Sequence, residues 1–212
     1  MKNYVFELKD PLLKMVFDDG MLKERKDLLQ IILEACRFMM YNDQVPNANN
    51  KVMLVVNDMN RLFFCCKKKM FSVMCPFHVT DYPSISFDYN KIPIDSEMMS
   101  MISTFLDSDE YNADEAVDFI TQIEDFQEKG KRDLWLVIKH FLTFELGYVR
   151  YDDNLEEFNK ASREGHPKRH PRYHYDVNLD SQATFKLGLS SQLTPSKFVD
   201  FLDNTKDRPL VK

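Results

Sequence analysis

The chain has 212 residues, of which 44% are hydrophobic and 29% are charged, and its formal net charge is −6. Its five glycines stand far apart, so the sequence contains no Gly-rich dinucleotide-binding turn, no phosphate-binding P-loop and no Gly-x-Ser-x-Gly nucleophile elbow. The acidic balance argues against a protein whose main task is to neutralise a nucleic-acid backbone. The absence of these glycine motifs excludes three large enzyme classes. The length fits one globular domain.

The N-terminus and the cysteines indicate the cellular compartment of the protein. The first ten residues include Glu7 and Asp10 and lack the apolar centre and cleavage site of a secretory signal. No run of about 18 apolar residues predicts a membrane span. The four cysteines form no Cys-x-x-Cys pair, so disulfides are not expected. We expect a cytoplasmic protein that does not contact membranes.

The first half of the chain predicts one helix followed by several strands. Residues 4–8 suggest a short strand, and residues 22–40 place apolar side chains at helical spacing. The stretch 42–50, with Pro46 and four asparagines, is typical of a loop. Short β-branched and apolar runs then predict strands at 51–57, 61–67, 70–79 and 84–92.

Three helices with recognisable ends are predicted next, at 97–106, 112–126 and 132–146. Asp95 or Ser96 is the expected N-cap of the first, and the third is the most apolar. Residues 148–151 suggest a strand, and residues 152–171 are interpreted as a charged, proline-containing loop.

The last forty residues predict a hairpin and a closing helix. Tyr173, Tyr175 and Val177 alternate with His174 and Asp176, so the hairpin should have one dry and one polar face. Thr194 followed by Pro195 is a favourable start for the final helix, which carries Phe198.

Strands in consecutive pairs and helices in a consecutive run predict an α+β fold. We expect a mostly antiparallel sheet with helices packed on one side, a closing β-hairpin and a C-terminal helix. A single domain should span residues 1–212, and residues 108–112 or the loop 152–171 are the places where it could divide.

The candidate site lies around the hairpin, where His166, His170 and His174 are spaced four apart. These three histidines are the candidate metal ligands, although Pro167 and Pro171 oppose the continuous helix that would align them. A strand beginning near His174 would instead project His174, Asp176 and Asn178 on one side, with Lys186 opposite Asp176 or Asn178.

Such a face could orient a general base, because a histidine beside a carboxylate is the usual arrangement. The candidate catalytic residues are His170, His174 and Asp176, and the candidate binding residues are Asn178, Lys186 and Arg172. The competing interpretation, which we favour at this point, is an ordinary solvated sheet face. The acid pairs Asp152-Asp153 and Glu156-Glu157 are likewise interpreted as solvated loop charges.

One segment has a recognisable pattern: His170-Pro171-x-Tyr173-His174-x-Asp176-x-Asn178, followed by Thr184-x-Lys186-x-Gly188-Leu189. It resembles a group of uncharacterised bacterial proteins that carry a similar His-Pro segment near the C-terminus. The resemblance covers roughly 40 of the 212 residues. It implies a bacterial origin and an accessory role beside mobile elements or in phage defence, and it assigns no catalytic residue.

Two functional classes remain open from the sequence. The first is a non-enzymatic binding or regulatory protein with a protein partner and no cofactor, favoured because no nucleophile motif or complete metal set is present. The second is a metal-assisted phosphodiester hydrolase, resembling a nuclease, that uses His170, His174 and Asp176 with a divalent metal. Nucleic acid is the less favoured partner, and its contacts would be Arg163, Lys168, Arg169 and Arg172.

Overall fold

A computed structural model describes residues 2–17, 22, 24–108, 131–177 and 185–207. The chain divides into two compact units, each assembled from separate segments. The sheet unit comprises Met1–Glu24, Asp43–Cys75 and Leu146–Lys212, and the helical unit comprises Arg25–Asn42 and Pro76–Glu145.

The described strands form two sheets. In chain order the strands are β1 (Lys2–Glu7), β2 (Lys51–Val56), β3 (Arg61–Cys65), β4 (Lys69–Met74), β5 (His78–Thr80), β6 (Ser86–Tyr89), β7 (Ile92–Pro93), β8 (Val149–Asp153), β9 (Tyr173–Val177) and β10 (Phe185–Leu189). The sheet unit contains a seven-stranded sheet of order β1-β2-β3-β4-β8-β9-β10, and the helical unit contains the three-stranded sheet β5-β6-β7. Every neighbouring pair is antiparallel.

Six helices lie in the described part of the chain: α1 (Leu12–Phe17), α2 (Arg25–Tyr41), α3 (Ser96–Leu106), α4 (Arg132–Thr143), α5 (Leu155–Arg163) and α6 (Pro195–Leu202). Together with the antiparallel sheet they confirm the α+β class, the closing hairpin and the C-terminal helix. Among these helices, none combines the length and apolar composition needed to cross a bilayer.

Two predicted helix starts are confirmed by their capping hydrogen bonds. The Asp95 side chain accepts from the Met98 amide at 2.9 Å at the start of α3. The Thr194 hydroxyl accepts from the Lys197 amide at 3.3 Å, and Pro195 occupies the first turn of α6. Each cap satisfies one amide that the helix itself leaves without a partner.

The core of the sheet unit lies between α6 and one face of the seven-stranded sheet. Phe198 of α6 is completely buried and packs edge-on against Phe63 of β3, with ring centroids 5.8 Å apart. Tyr175 of β9 stacks against Phe201 at 4.4 Å. The predicted dry face of the hairpin is therefore confirmed. On the opposite face, Phe17 of α1 lies edge-on to Phe71 of β4 at 6.3 Å.

The helical unit has its own apolar centre. Phe77 stacks on Phe141 of α4 with centroids 5.4 Å apart, and Leu29 of α2 and Met99 of α3 are completely buried. His140 stacks on Tyr89 at 4.0 Å, and its Nε2 atom lies 2.7 Å from the carbonyl of Pro76. These contacts give His140 a structural role within the helical unit.

Several predicted boundaries are wrong. The supposed loop at 152–171 contains the end of β8 and the whole of α5. Helix α5 begins because the Asn154 side chain accepts from the Glu157 amide at 3.1 Å, and Glu156 and Glu157 favour a helix N-terminus by charge. The predicted strands 70–79 and 84–92 each divide in two, and α1 was not predicted. The predicted helix 112–126 lies outside the described residues.

Candidate functional site

The register of three adjacent strands gathers charged side chains on one face of the sheet. Asp176 of β9 lies between Arg150 of β8 and Lys186 of β10. In the next row on that face, His174 lies between Asp152 and Gly188. Since side chains two apart on a strand share a face, both rows point to the same side. We call the following five residues the charged cluster: Arg150, Asp152, His174, Asp176 and Lys186.

Asp176 is the most fully bound member of the charged cluster. Its Oδ1 atom accepts from Lys186 Nζ at 2.6 Å, and its Oδ2 atom accepts a short hydrogen bond from Arg150 Nη2. Asp152 has fewer hydrogen-bond partners. Its Oδ2 atom lies 2.9 Å from Arg150 Nε without hydrogen-bond geometry, and its buried Oδ1 atom has no hydrogen-bond partner.

Burial overturns the expectation of a solvated face. His174 is 0% exposed, Asp176 is 2% exposed and Asp152 is 8% exposed. The two cations keep more contact with solvent, the side chain of Arg150 being 34% exposed and that of Lys186 33% exposed. A buried carboxylate is tolerated when cations and hydrogen bonds compensate its charge, and here two cations do so.

Residues 170–172, which we call the strap, pack against His174 and β10 and contribute to the burial of His174. A Cβ atom placed on Gly188 would lie 2.9 Å from Pro171 Cγ, so the proline ring packs directly on β10. The His170 ring stands edge-on to the His174 ring with centroids 4.8 Å apart. The strap is anchored at Arg172, whose carbonyl accepts from the Asn154 amide at 2.8 Å.

A hydrogen bond to the strap determines which nitrogen of His174 faces the charged cluster. His174 Nδ1 lies 2.8 Å from the Pro171 carbonyl oxygen, which can only accept. Nδ1 therefore carries the proton, and the lone pair of Nε2 accepts from Lys186 Nζ at 3.1 Å. Nε2 lies 3.7 Å from Asp176 Oδ1 and 3.9 Å from Asp152 Oδ2.

The surroundings of His174 favour a neutral imidazole, placed among two carboxylates and two cations. Burial, followed by the charge of Lys186, lowers the pKa of His174. Burial opposes ionisation of Asp176, but the hydrogen bond from Lys186 and the charge of Arg150 outweigh it and lower the pKa of Asp176. Burial likewise opposes the charge of Arg150, but Asp152, Tyr148 and Asp176 together outweigh it and raise the pKa of Arg150. The charged cluster is thus close to electrically balanced.

Three members of the charged cluster form a set that could hold a metal ion. Asp152, His174 and Asp176 each offer one ligand atom, and these atoms lie within 4.8 Å of one another. Within the part of the chain that the structure describes, this is the one such group of histidine, cysteine and acidic residues. Carboxylate oxygen and imidazole nitrogen together suit Mn²⁺, Fe²⁺ or Zn²⁺.

The remaining predicted site residues lie elsewhere. His166, Lys168 and Arg169 are exposed and line a surface cavity of about 570 Å³. Arg172 binds Asp153 at 2.8 Å rather than a residue of the charged cluster. Asn178 lies outside the described residues.

Of the predicted catalytic residues, the structure brings His174 and Asp176 into one set of ligand atoms. His170 joins neither that set nor the cluster's hydrogen bonds, and it touches the site through its ring contact with His174. Lys186 faces Asp176, which confirms the predicted cross-strand pair.

Sequence reasoning missed Arg150 and Asp152. The strand was predicted to end at residue 151, and Asp152-Asp153 was interpreted as a solvated acid pair. The structure contradicts this, because β8 continues to Asp153 and Asp152 is buried. The alternation of Val149 and Tyr151 with Arg150 and Asp152 is the signal that would have extended the strand.

No protein-family model matches the chain, and neither the curated proteins nor the solved structures include a significant match to it.

Proposed function

We propose that the protein is a metal-dependent phosphodiester hydrolase whose metal site is formed by Asp152, His174 and Asp176. The observation that carries this proposal is the convergence of two buried carboxylates with the proton-free Nε2 atom of a buried histidine. A metal-binding histidine commonly donates its other ring N–H to a carbonyl or carboxylate, and His174 does so to Pro171.

The unsatisfied polar atoms of the site support the same proposal. Asp152 Oδ1 is buried without a hydrogen-bond partner, although a buried carboxylate oxygen normally has one. His170 Nδ1, beside the His174 ring, is also buried without a partner. A bound metal ion and its water molecules would supply positive charge and hydrogen-bond donors at this position.

The cations around the site favour an anionic substrate. Arg150 and Lys186 belong to the charged cluster, and Lys168 and Arg169 are exposed on the segment that leads into the strap. A divalent metal held by Asp152, His174 and Asp176 would supply an activated water molecule near neutral pH. In hydrolysis a bond from the water oxygen to phosphorus would replace one P–O ester bond, one proton of the water would pass to solvent, and the departing alkoxide would take a proton from solvent. Arg150 and Lys186 would offset the charge on the phosphoryl oxygens.

The experiment is a hydrolysis assay of the purified full chain with added Mn²⁺ or Mg²⁺. The substrates are bis(p-nitrophenyl) phosphate and fluorescein-labelled single-stranded and double-stranded oligonucleotides. We expect metal-dependent cleavage that His174→Gln and Asp176→Asn reduce to the uncatalysed background. The matched controls His166→Gln and Asp200→Asn change exposed residues outside the charged cluster and should retain activity.

A different specific observation favours the second class, a non-enzymatic binding or regulatory protein. The two carboxylates of the charged cluster are balanced by two cations of the same chain, so the cluster can be complete without a ligand. In that case no metal should bind with an affinity that depends on His174, and isothermal titration with Mn²⁺ distinguishes the two classes. For either class, the bacterial resemblance of the C-terminal segment favours a cytoplasmic accessory role.

A further inference from the structure

Lys186 occupies the position between the candidate metal ligands. Its Nζ atom donates to Asp176 Oδ1 at 2.6 Å and to His174 Nε2 at 3.1 Å. These two acceptors belong to the ligand set that also includes Asp152. A metal ion would use the same lone pairs, so the ammonium group and the metal compete for one place.

We infer that the Lys186 ammonium group occupies the metal position when no metal is bound and is displaced when a divalent metal binds. This inference rests on the proposed function, because it concerns the same three ligands. It makes Lys186 the residue that sets the affinity for metal. It also explains how the carboxylates stay ionised and buried before the metal arrives.

The position of Lys186 allows such an exchange. It lies on β10, the last strand in the sheet order, and its side chain is 33% exposed while those of His174 and Asp176 are almost fully buried. A lysine ammonium ends a flexible four-carbon stem and is strongly hydrated, so moving it into solvent requires no change of backbone. Arg150 lies on the interior strand β8 and holds Asp176 and Asp152 in either state.

The exchange changes the charge presented to a substrate. With Lys186 in place, two carboxylates face two cations. When a divalent ion replaces the ammonium group, the ion, the two carboxylates and Arg150 together carry one excess positive charge, and the released ammonium adds to it. The loaded site therefore attracts a phosphate group, whereas the empty site does not. Metal binding should precede substrate binding.

The experiment measures Mn²⁺ binding to the full chain by isothermal titration and by the melting temperature with and without Mn²⁺. We expect Lys186→Met to bind Mn²⁺ roughly tenfold more tightly than the unchanged protein, because it loses a charge-assisted hydrogen bond that competes with the metal. Mn²⁺ should also raise the melting temperature of this variant by a larger amount. The matched control Lys186→Arg retains the cation and should retain the weaker affinity.

The outcomes separate the two proposals. Equal or weaker Mn²⁺ affinity in Lys186→Met, with clear binding by the unchanged protein, would overturn the role of Lys186 and leave the metal site intact. Absence of binding in the unchanged protein and in the folded Lys186→Met variant would overturn the metal site itself. Tighter binding that His174→Gln abolishes in the Lys186→Met background would support both.

Discussion

His174 links the charged cluster to the strap through its two ring nitrogens. Nδ1 donates to the Pro171 carbonyl and Nε2 accepts from Lys186, so both nitrogens are satisfied only in the neutral form. A second proton would have to be placed on Nε2, directly against an ammonium group. The protonation state of this one residue therefore contributes to the stability of the sheet unit.

We expect the free energy of unfolding to fall as the pH drops below about 6.5, the ordinary pKa of histidine. Because burial and Lys186 lower the pKa of His174 in the folded state, the unfolded chain binds more protons below that pH. The stabilisation by neutral His174 is fully present above the pKa of this residue in the unfolded chain. As the pH falls from that value towards the lower pKa of the folded state, the stabilisation is lost at up to about 1.4 kcal/mol per pH unit. Urea unfolding between pH 5 and pH 8 measures this slope.

The matched variants are His174→Gln and His166→Gln. Glutamine at position 174 has no proton to gain in this range, so the slope should decrease, while the exposed position 166 should leave it unchanged. An unchanged slope in His174→Gln would show that other groups cause the loss of stability in acid.

Local sequence patterns predicted part of the site. Period-two alternation placed His174 and Asp176 on one face, and it placed Lys186 opposite Asp176, because alternation depends only on the local strand. Asp152 was missed because its position depends on the pairing of β8 with β9 across about twenty residues of chain. The burial of His174 depends in part on the strap, and no local pattern predicts where a proline ring will pack.

At the element scale, the contact between the strap and β10 accounts for a glycine in the middle of a strand. Gly188 has no positive φ, so its backbone conformation would accept a side chain. The restriction is space, since an added Cβ would lie 2.9 Å from Pro171 Cγ and 3.2 Å from Pro171 Cβ. The strap and the strand can approach only because this position has no side chain.

Gly188→Ala should therefore destabilise the protein by about 1–3 kcal/mol, the usual cost of overpacking. Elsewhere in a strand the same change would stabilise by about 0.4–1 kcal/mol through the unfolded chain. Displacement of Pro171 should also disturb the hydrogen bond that its carbonyl accepts from His174. Urea denaturation measures the first effect, and the nitrogen chemical shifts of the His174 ring report the second.

The double variant Gly188→Ala with Pro171→Ala is the control for this contact. Alanine at position 171 lacks the Cγ atom, so Gly188→Ala should cost less in that background than in the unchanged protein. Equal costs in both backgrounds would mean that the strap does not restrict position 188.

The elements themselves were predicted with uneven success, for physical reasons. Helices α3 and α6 were found because their caps, Asp95 and Thr194, are local signals. Helix α5 was missed because it is short and mostly polar: its apolar side chains are Leu155, Phe158 and Ala161, and of these only Ala161 is buried. The division of the predicted strand 70–79 follows Pro76, which has no amide to donate to a ladder.

At the scale of the whole molecule, the chain passes between its two units four times. All five residues of the charged cluster nevertheless lie in the segment Leu146–Lys212. The strands that carry the cluster depend on another segment, Asp43–Cys75. Strand β8 pairs with β4 of that segment, and Tyr175 of β9 packs in a core that includes Phe63 and Val55. A continuous fragment can thus contain the whole cluster without containing the structure that supports it.

We expect the fragment of residues 146–212 to be unfolded in isolation. It lacks β4 and the side chains of β2 and β3 that bury Phe198, and a small sheet with one uncovered face is marginal in water. Circular dichroism and the dispersion of amide signals in a ¹H–¹⁵N spectrum test this, with the full chain as control. A dispersed spectrum from the fragment would show that the C-terminal segment folds independently of the other strands.

The spacing of the charged cluster provides a way to look for relatives of this protein. On three consecutive antiparallel strands, the site reduces to three pairs with one intervening residue: Arg150-x-Asp152, His174-x-Asp176 and Lys186-x-Gly188. Within a pair, an inserted residue would turn one side chain to the opposite face and dismantle the site. Between pairs, this alternation does not fix the number of residues. A search with three short, fixed blocks and elastic gaps should therefore recover distant sequences that an end-to-end alignment would miss.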